Sequence, residues 1–426
     1  MDNDQEKMMK QTIRMGLAAA VAAGALWAAQ PASADRMAEL ERQVEALASE
    51  IEKIKLQDVA IEPGERAHGL SPSASKVYFK ESGVSLGGYG EMLYQNFEDD
   101  AKADQWDFLR FVLYAGYKYN ERIVLNTELE VEHASTDKEG YVSVEFAYID
   151  YLWMPEFNLR GGMVLVPSGL LSEFHEPTTF FGARRPDTES RIIPSTWREN
   201  GVGVFGDIAG FSYKAYLLNG FKGENFTAAG VRSGRQKGSE ALAEDLAGVL
   251  RVDYTAINDL LIGASIYHGD SGQDLPFSLN TTIADVHLDW KYKGFSLRAL
   301  GVIAELDGAE NLTAYIAERD EKELADVDPV GERMTGWYVE AGFDLFSVLR
   351  PGEASLTPFV RIEQYNTQDK VPSGFTASGK NDVELTVVGL NFKPIEEVVL
   401  KAEYQMYDNS ANTLKDQWNL ALGYIF

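Results

Sequence analysis

A chain of 426 residues with 66 Asp and Glu against 39 Lys and Arg carries a formal charge of −27, which excludes the basic face of a nucleic-acid binder. The absence of cysteine excludes a disulfide framework, a thiolate metal site and a cysteine nucleophile. No stretch beyond the N-terminus reaches the roughly 18 apolar residues of a membrane helix, which excludes a helical membrane protein but leaves a membrane barrel, whose alternating strands average out to a hydrophilic composition.

Residues 1–34 are predicted to be an export signal. Lys7, Lys10 and Arg14 precede an apolar run from Met15 to Ala29, and Ala32-Ser33-Ala34 matches the small-residue pattern of a cleavage site. Residues 35–57 are predicted to form a short coiled-coil helix. Met37, Val44 and Ile51 fall at a, and Leu40, Leu47 and Ile54 at d, of a heptad. So narrow an apolar stripe favours self-association, although fewer than three heptads are marginal alone. Residues 58–76, with Pro63-Gly64, Gly69 and Ser71-Pro72-Ser73, read as a flexible linker.

Residues 77–426 change character. From Val84 onward, segments of about ten residues alternate apolar with polar, the period-two pattern of half-buried strands. Ile123, Leu125, Thr127, Leu129 and Val131 alternate with Asn126, Glu128, Glu130 and Glu132. Ala284, Val286, Leu288 and Trp290 alternate with Asp285, His287 and Asp289. Sixteen strands are expected, near 84–94, 106–119, 122–134, 141–153, 157–166, 198–208, 211–221, 246–257, 260–268, 282–292, 295–305, 335–345, 356–366, 382–392, 398–407 and 416–426.

A soluble antiparallel sheet alternates in the same way, so the connections decide between the two. After even strands they are mostly short, as at Asn120-Glu121, Ala209-Gly210, Asn258-Asp259 and Lys293-Gly294. After odd strands they are long, the largest being 167–197, 222–245 and 306–334. Short turns at one rim and long loops at the other are the pattern of an outer-membrane barrel. Only 346–355 is too long for its rim. Tyr117, Tyr119, Trp153, Phe157, Phe211, Trp290, Tyr292, Phe295 and Phe426 lie beside the short turns, where an interfacial girdle belongs. The fold class is all-β: a sixteen-stranded antiparallel transmembrane barrel preceded by a short α-helical coiled coil.

The strand Trp418–Phe426, which ends on Tyr424 and Phe426, resembles the sorting signal that the barrel assembly machinery reads in outer-membrane porins. Gly162-Met-Val-Leu-Val-Pro-Ser-Gly169, Pro194-Ser-Thr-Trp197, Glu199-Asn-Gly-Val-Gly203 and Val388-Gly-Leu-Asn-Phe392 resemble the phosphate-selective porin O and P family, over residues 80–426. The resemblance implies a homotrimeric, water-filled pore in the outer membrane of a Gram-negative bacterium, surrounded by lipid and lipopolysaccharide, with the N-terminal helix in the periplasm. It implies passive diffusion of small hydrophilic solutes, with neither catalysis, cofactor nor metal, through a lumen lined by a basic ladder.

The 167–197 loop holds the position at which porins fold a loop inward to narrow the channel. It carries Arg184, Arg185 and Arg191, with Arg198 at its exit, against Glu173, Glu176, Asp187 and Glu189. Guanidinium groups match phosphate-like oxygens, so a row of arginines at a constriction favours anions. The bland alternative is that Arg184 and Arg185 pair with neighbouring carboxylates and pin the loop. Parity places Arg110, Arg251, Arg298 and Arg361 in the lumen together with Glu130 and Asp289, a mixed lining rather than a basic one. Asp285, His287 and Asp289 share one strand face at steps of roughly 6–7 Å, too far apart for a tight site without help from adjacent strands. Charges beyond a Debye length, about 8 Å at physiological salt, are screened. The constriction is therefore expected to outweigh the acidic total and to give weak anion preference or near-neutral behaviour.

Overall fold

The computed structural model describes residues 66–99, 101–134, 140–349 and 352–426. The export signal expected at 1–34, the coiled coil expected at 35–57 and the first part of the expected linker lie outside the described residues.

Sixteen strands are present: β1 (Gly83–Phe97), β2 (Gln105–Lys118), β3 (Ile123–Glu132), β4 (Val142–Met154), β5 (Phe157–Leu165), β6 (Arg198–Ile208), β7 (Phe211–Asn219) and β8 (Leu246–Tyr254). They continue with β9 (Leu260–Asp270), β10 (Asn280–Tyr292), β11 (Phe295–Asp307), β12 (Arg333–Phe343), β13 (Ser355–Lys370), β14 (Asp382–Ile395), β15 (Val398–Asn409) and β16 (Gln417–Ile425). Each pairs antiparallel with its sequence neighbour, and β1 closes on β16 from Tyr89↔Ile425 to Phe97↔Gln417. Closure pairs both sheet edges, which a hydrocarbon surround would otherwise leave without hydrogen-bond partners. The short turns follow from local backbone chemistry. Ala209-Gly210 and Lys293-Gly294 have φ of 51° and 83°, and of 48° and 83°, the two positive values of a type I′ turn that matches strand twist.

The distribution of side chains is inverted relative to a soluble sheet. Val202 and Val286 on the outer wall are 59 % and 64 % exposed, whereas the inward Arg251, Arg361, Glu128 and Glu363 are each 1 % exposed. Apolar outside and charged inside is the arrangement that lipid around the wall and water in the bore would select. Aromatics cluster at the short-turn rim: Tyr117 with Tyr119 at 4.8 Å, Trp153 with Phe157 at 6.0 Å, Phe211 with Tyr254 at 5.1 Å and Trp290 with Phe295 at 5.8 Å. The overlong connection there holds a one-turn helix, Phe346–Leu349. Asp344 organises it by accepting the N–H groups of Phe346 (3.0 Å) and Leu356 (2.9 Å).

The strand β16 is seated by glycines of β1. A Cβ on Gly88 would come within 2.6 Å of the Phe426 ring, and one on Gly90 would meet the Tyr424 ring. Phe426 also stacks on Phe111 at 6.2 Å. Trp418 lies at the opposite rim, against Tyr404 at 4.6 Å, and is no part of that seat.

One expectation needs correction. The boundary between linker and barrel, expected at 76/77, falls inside a helix, α1 (Pro72–Phe79). Leu70, Ser71, Ser73, Ala74, Ser75, Val77 and Tyr78 are buried, so this stretch packs on the inner wall rather than hanging as a tether. Its serines, proline and glycine imitate a linker in composition. They serve as small residues where a helix approaches the wall closely, with Val77 against Gly116 and Ser73 against Gly87.

Candidate functional site

The 166–197 connection folds into the bore and touches the wall nearly all the way round. Ser168 and Gly169 donate to Asp285 on β10 at 3.2 and 3.1 Å. His175 meets Glu128 on β3 at 3.2 Å. Thr179 accepts from Arg298 on β11 at 2.9 Å, Phe181 from Asn391 on β14 at 3.0 Å and Gly182 from Lys401 on β15 at 2.7 Å. Ala183 donates to Glu403 at 2.8 Å, and Thr188 to Glu363 on β13. The wall supplies side chains and the loop mostly backbone groups, so the loop's course is set by polar residues that parity had already turned inward.

The lumen charges sort into two populations. The arginines on the wall are paired. Arg110 lies 3.5 Å from Glu91 and 3.8 Å from Glu130, Arg160 2.8 Å from Asp150, Arg251 2.7 Å from Asp253, and Arg298 2.8 Å from Asp289. Arg361 reaches Glu340 and Glu363, each at 3.3 Å. Arg198, expected at the loop's exit as a selectivity residue, is held by Glu145 and by Ser143 at 3.2 Å. His287 bridges Asp285 (2.6 Å) and Asp253 (2.8 Å), beside Arg251, which donates to the Gly169 carbonyl, so these residues form an anchoring network for the loop.

The loop acids are equally engaged. Glu173 takes Lys214 at 2.5 Å, Glu189 takes the Leu171 N–H and the Tyr338 hydroxyl at 2.6 Å each, and Asp187 takes the Tyr407 hydroxyl at 3.4 Å. Glu176 accepts the N–H groups of Ser73 (3.2 Å) and Ala74 (3.0 Å).

The loop arginines differ. Among the described residues, Arg184, Arg185 and Arg191 form no ion pair. Burial lowers the Arg184 pKa, but Tyr407, Asp187 and Glu403 raise it above its ordinary value, so neighbouring carboxylates act on it without touching it. Arg185 donates to the His175 carbonyl at 3.0 Å. Sequence reading missed three further cations in the 220–245 connection: Arg232, Arg235 and Lys237, likewise without an ion pair among the described residues. Arg232 donates to the carbonyls of Ser190 and Ser195, and Arg235 to those of Pro194 (3.0 Å) and Thr196 (2.5 Å). Together with Arg191 they line a cavity of about 420 Å³. Burial, and then repulsion from Arg235, Arg185, Arg191 and Arg110, pushes Arg232 down to about 9. The run Arg232–Lys237 in the sequence was the available signal, but nothing local tells which loop it will face.

Two histidines of this assembly are buried neutral. His68 packs edge-on to Tyr78 (4.7 Å) and Phe205 (4.9 Å); burial, then Arg160, lowers it from 6.5 to about 4. His175 is lowered to about 3 by burial, then by Arg185. Each ring binds its proton more readily when unfolded. The stability they contribute is therefore full above about 6.5 and is lost as pH falls through about 4 and then about 3. The heat-denaturation midpoint is expected to drop as pH falls from about 7 to about 4, and less steeply in His68→Phe. Equal slopes for the two proteins would contradict neutral burial of His68.

No protein-family model matches the chain. An uncharacterized protein of Aquifex aeolicus is 37 % identical over 382 residues, covering 88 % of this chain and 87 % of that protein. Among solved structures, OmpF of Salmonella typhi in complex with daunomycin superposes with a TM-score of 0.55 at 11 % identity, covering 81 % of this chain and 98 % of that one. An anion-selective porin of Comamonas acidovorans gives 0.52 at 12 % identity, covering 81 % and 100 %. The trimer form of the outer membrane protein OmpT of Vibrio cholerae gives 0.51 at 14 % identity, covering 82 % and 100 %. At these identities the likeness concerns the fold.

Proposed function

We propose that this chain, which belongs to one family with the Aquifex aeolicus protein and has the sixteen-stranded porin fold, is an outer-membrane channel for passive diffusion of small hydrophilic solutes, with a preference for anions. The observation that carries the anion preference is the sorting of charge. The wall arginines are each held by a wall carboxylate, while Arg184, Arg185, Arg191, Arg232, Arg235 and Lys237 are left without an ion partner among the described residues. Low-dielectric walls focus the field of such a surplus on the path, whereas the exposed acids of the outer loops are screened. Phosphate-like oxyanions suit the guanidinium groups best.

Three copies in the outer membrane are the assembly this reading expects, as in the trimer form of Vibrio cholerae OmpT, with the heptad pattern of 35–57 expected to add self-association on the periplasmic side. Reversal potentials across planar bilayers in a potassium chloride gradient test the proposal. The expected sign is that of chloride, with a modest magnitude. Strong cation selectivity in the unaltered protein would overturn the anion reading.

A further inference from the structure

The segment that precedes β1 does something the porin fold does not require. A sixteen-stranded barrel leaves an aqueous bore when only its side chains fill it. Here residues 66–79 enter that bore on the short-turn side and fill part of it with a helix. A helix with its side chains is about 10 Å across, a large share of any such section. Its fit is built on both partners. Wall glycines Gly87 and Gly116 face it, and a Cβ on either would lie within 2.7 Å of Ser73 or Val77 atoms.

Leu70, Ala74, Val77 and Tyr78 join the buried apolar cluster, and the polar attachments fall into two sets. One fastens it to the wall: Tyr78 donates to Asp150 at 2.7 Å and accepts from Arg160 at 3.2 Å, while Asn126 and Lys118 donate to the Ala74 and Tyr78 carbonyls at 2.9 Å each. The other fastens it to the constriction loop. Glu176 receives the first-turn N–H groups of α1, and Ser71 donates to the Glu173 carbonyl at 3.1 Å. Arg66 lies 4.8 Å over the Phe174 ring. The Glu176 carboxylate is thus occupied in holding this segment, while that of Glu173 is taken by Lys214 on the wall.

We propose that residues 66–79 are an internal plug that narrows the conducting path, held closed by two latches: Tyr78 on Asp150 and Arg160, and Glu176 on the first turn of α1. The proposal rests on the channel reading above and adds to it a second constriction distinct from the arginine-lined one. The barrel strands are joined to one another in a closed ring independently of this segment, so the plug is displaceable without unfolding the barrel. When the latches break, the bore widens on the short-turn side. Arg184, Arg185 and Arg191 stay on their own loop, so conductance rises more than selectivity changes.

Single-channel recording on the full chain tests this. The double substitution Tyr78→Ala with Glu176→Ala is expected to raise conductance about two-fold, given the share of the bore that a helix occupies, while anion preference persists. A cysteine pair provides a second measurement that compares one protein with itself in two redox states. The chain has no cysteine of its own, and a Cβ on Gly87 lies 2.7 Å from Ser73 Oγ, within bridging reach for Ser73→Cys with Gly87→Cys. Oxidised, this protein is expected to hold the low conductance. Reduced, with the Ser73 hydroxyl's bonds to the Gly88 (3.2 Å) and Phe426 (2.7 Å) carbonyls gone, it is expected to pass more current, reversibly in the same bilayer. If the double variant fails to assemble, the cysteine pair decides alone. Equal conductance oxidised and reduced overturns the plug, while leaving the channel reading in place. No conductance from the unaltered chain or from either variant overturns the channel reading itself.

Discussion

Replacing Arg184, Arg185 and Arg191 together by Ala is expected to move the reversal potential from the anion side to the cation side. A unit charge at about 8 Å contributes ~0.5 kcal/mol in a water-like dielectric and about 0.2 kcal/mol after one Debye length of screening, with opposite sign for anion and cation, so losing three changes the anion-to-cation ratio by roughly seven-fold. Adding Arg232→Ala and Arg235→Ala extends the shift, because these side chains join Arg191 around the same cavity. Neutralising Glu98 and Asp99, on the first long connection, leaves the potential nearly unchanged, because exposed charges more than a Debye length from the path are screened. The comparison separates position from quantity of charge. If the two sets of substitutions produced equal shifts, the loop arginines would have no special role, and the chain's −27 would act as an undivided field.

Deletion of Phe426 is expected to abolish most assembly into the outer membrane. The residue exchanges two backbone hydrogen bonds with Gly88, each 2.9 Å, its ring covers that glycine and stacks on Phe111, and its carbonyl accepts from Ser73 at 2.7 Å. Loss of these contacts removes on the order of 3 kcal/mol from the single seam that closes the barrel. Gly88→Leu attacks the same seam from the other strand, since a Cβ there already lies 2.6 Å from the ring. Both changes are expected to lower the heat-modifiable folded fraction in outer-membrane preparations and to leave unfolded chain in the periplasm. Normal folded levels of the deleted protein would show that β1 and β16 close without this residue.

Much of the architecture is legible in the amino-acid sequence. Strand number, the short-turn rim and the inward parity of Arg110, Arg251, Arg298, Arg361, Glu130 and Asp289 all follow from period-two alternation, because a strand's side chains point to opposite faces whatever surrounds it. Turn chemistry such as Lys293-Gly294 is equally local. Strand ends are less legible: β13 runs to Lys370 rather than stopping near 366, because its extension is supported by pairing with neighbours and not by its own pattern. What only the tertiary structure decided concerns pairs distant in sequence. Glu176 meets Ser73 across 103 residues, and Arg235 meets Thr196 across 39. The composition of residues 66–79 resembles a tether, and becomes a helix in the bore only because Gly87, Gly116 and the loop acids are there to receive it. Charge type and strand parity are properties of the chain itself. Whether a given charge is cancelled depends on which partner the fold brings within about 4 Å, where Coulomb attraction is largest, and no periodicity along the chain encodes that.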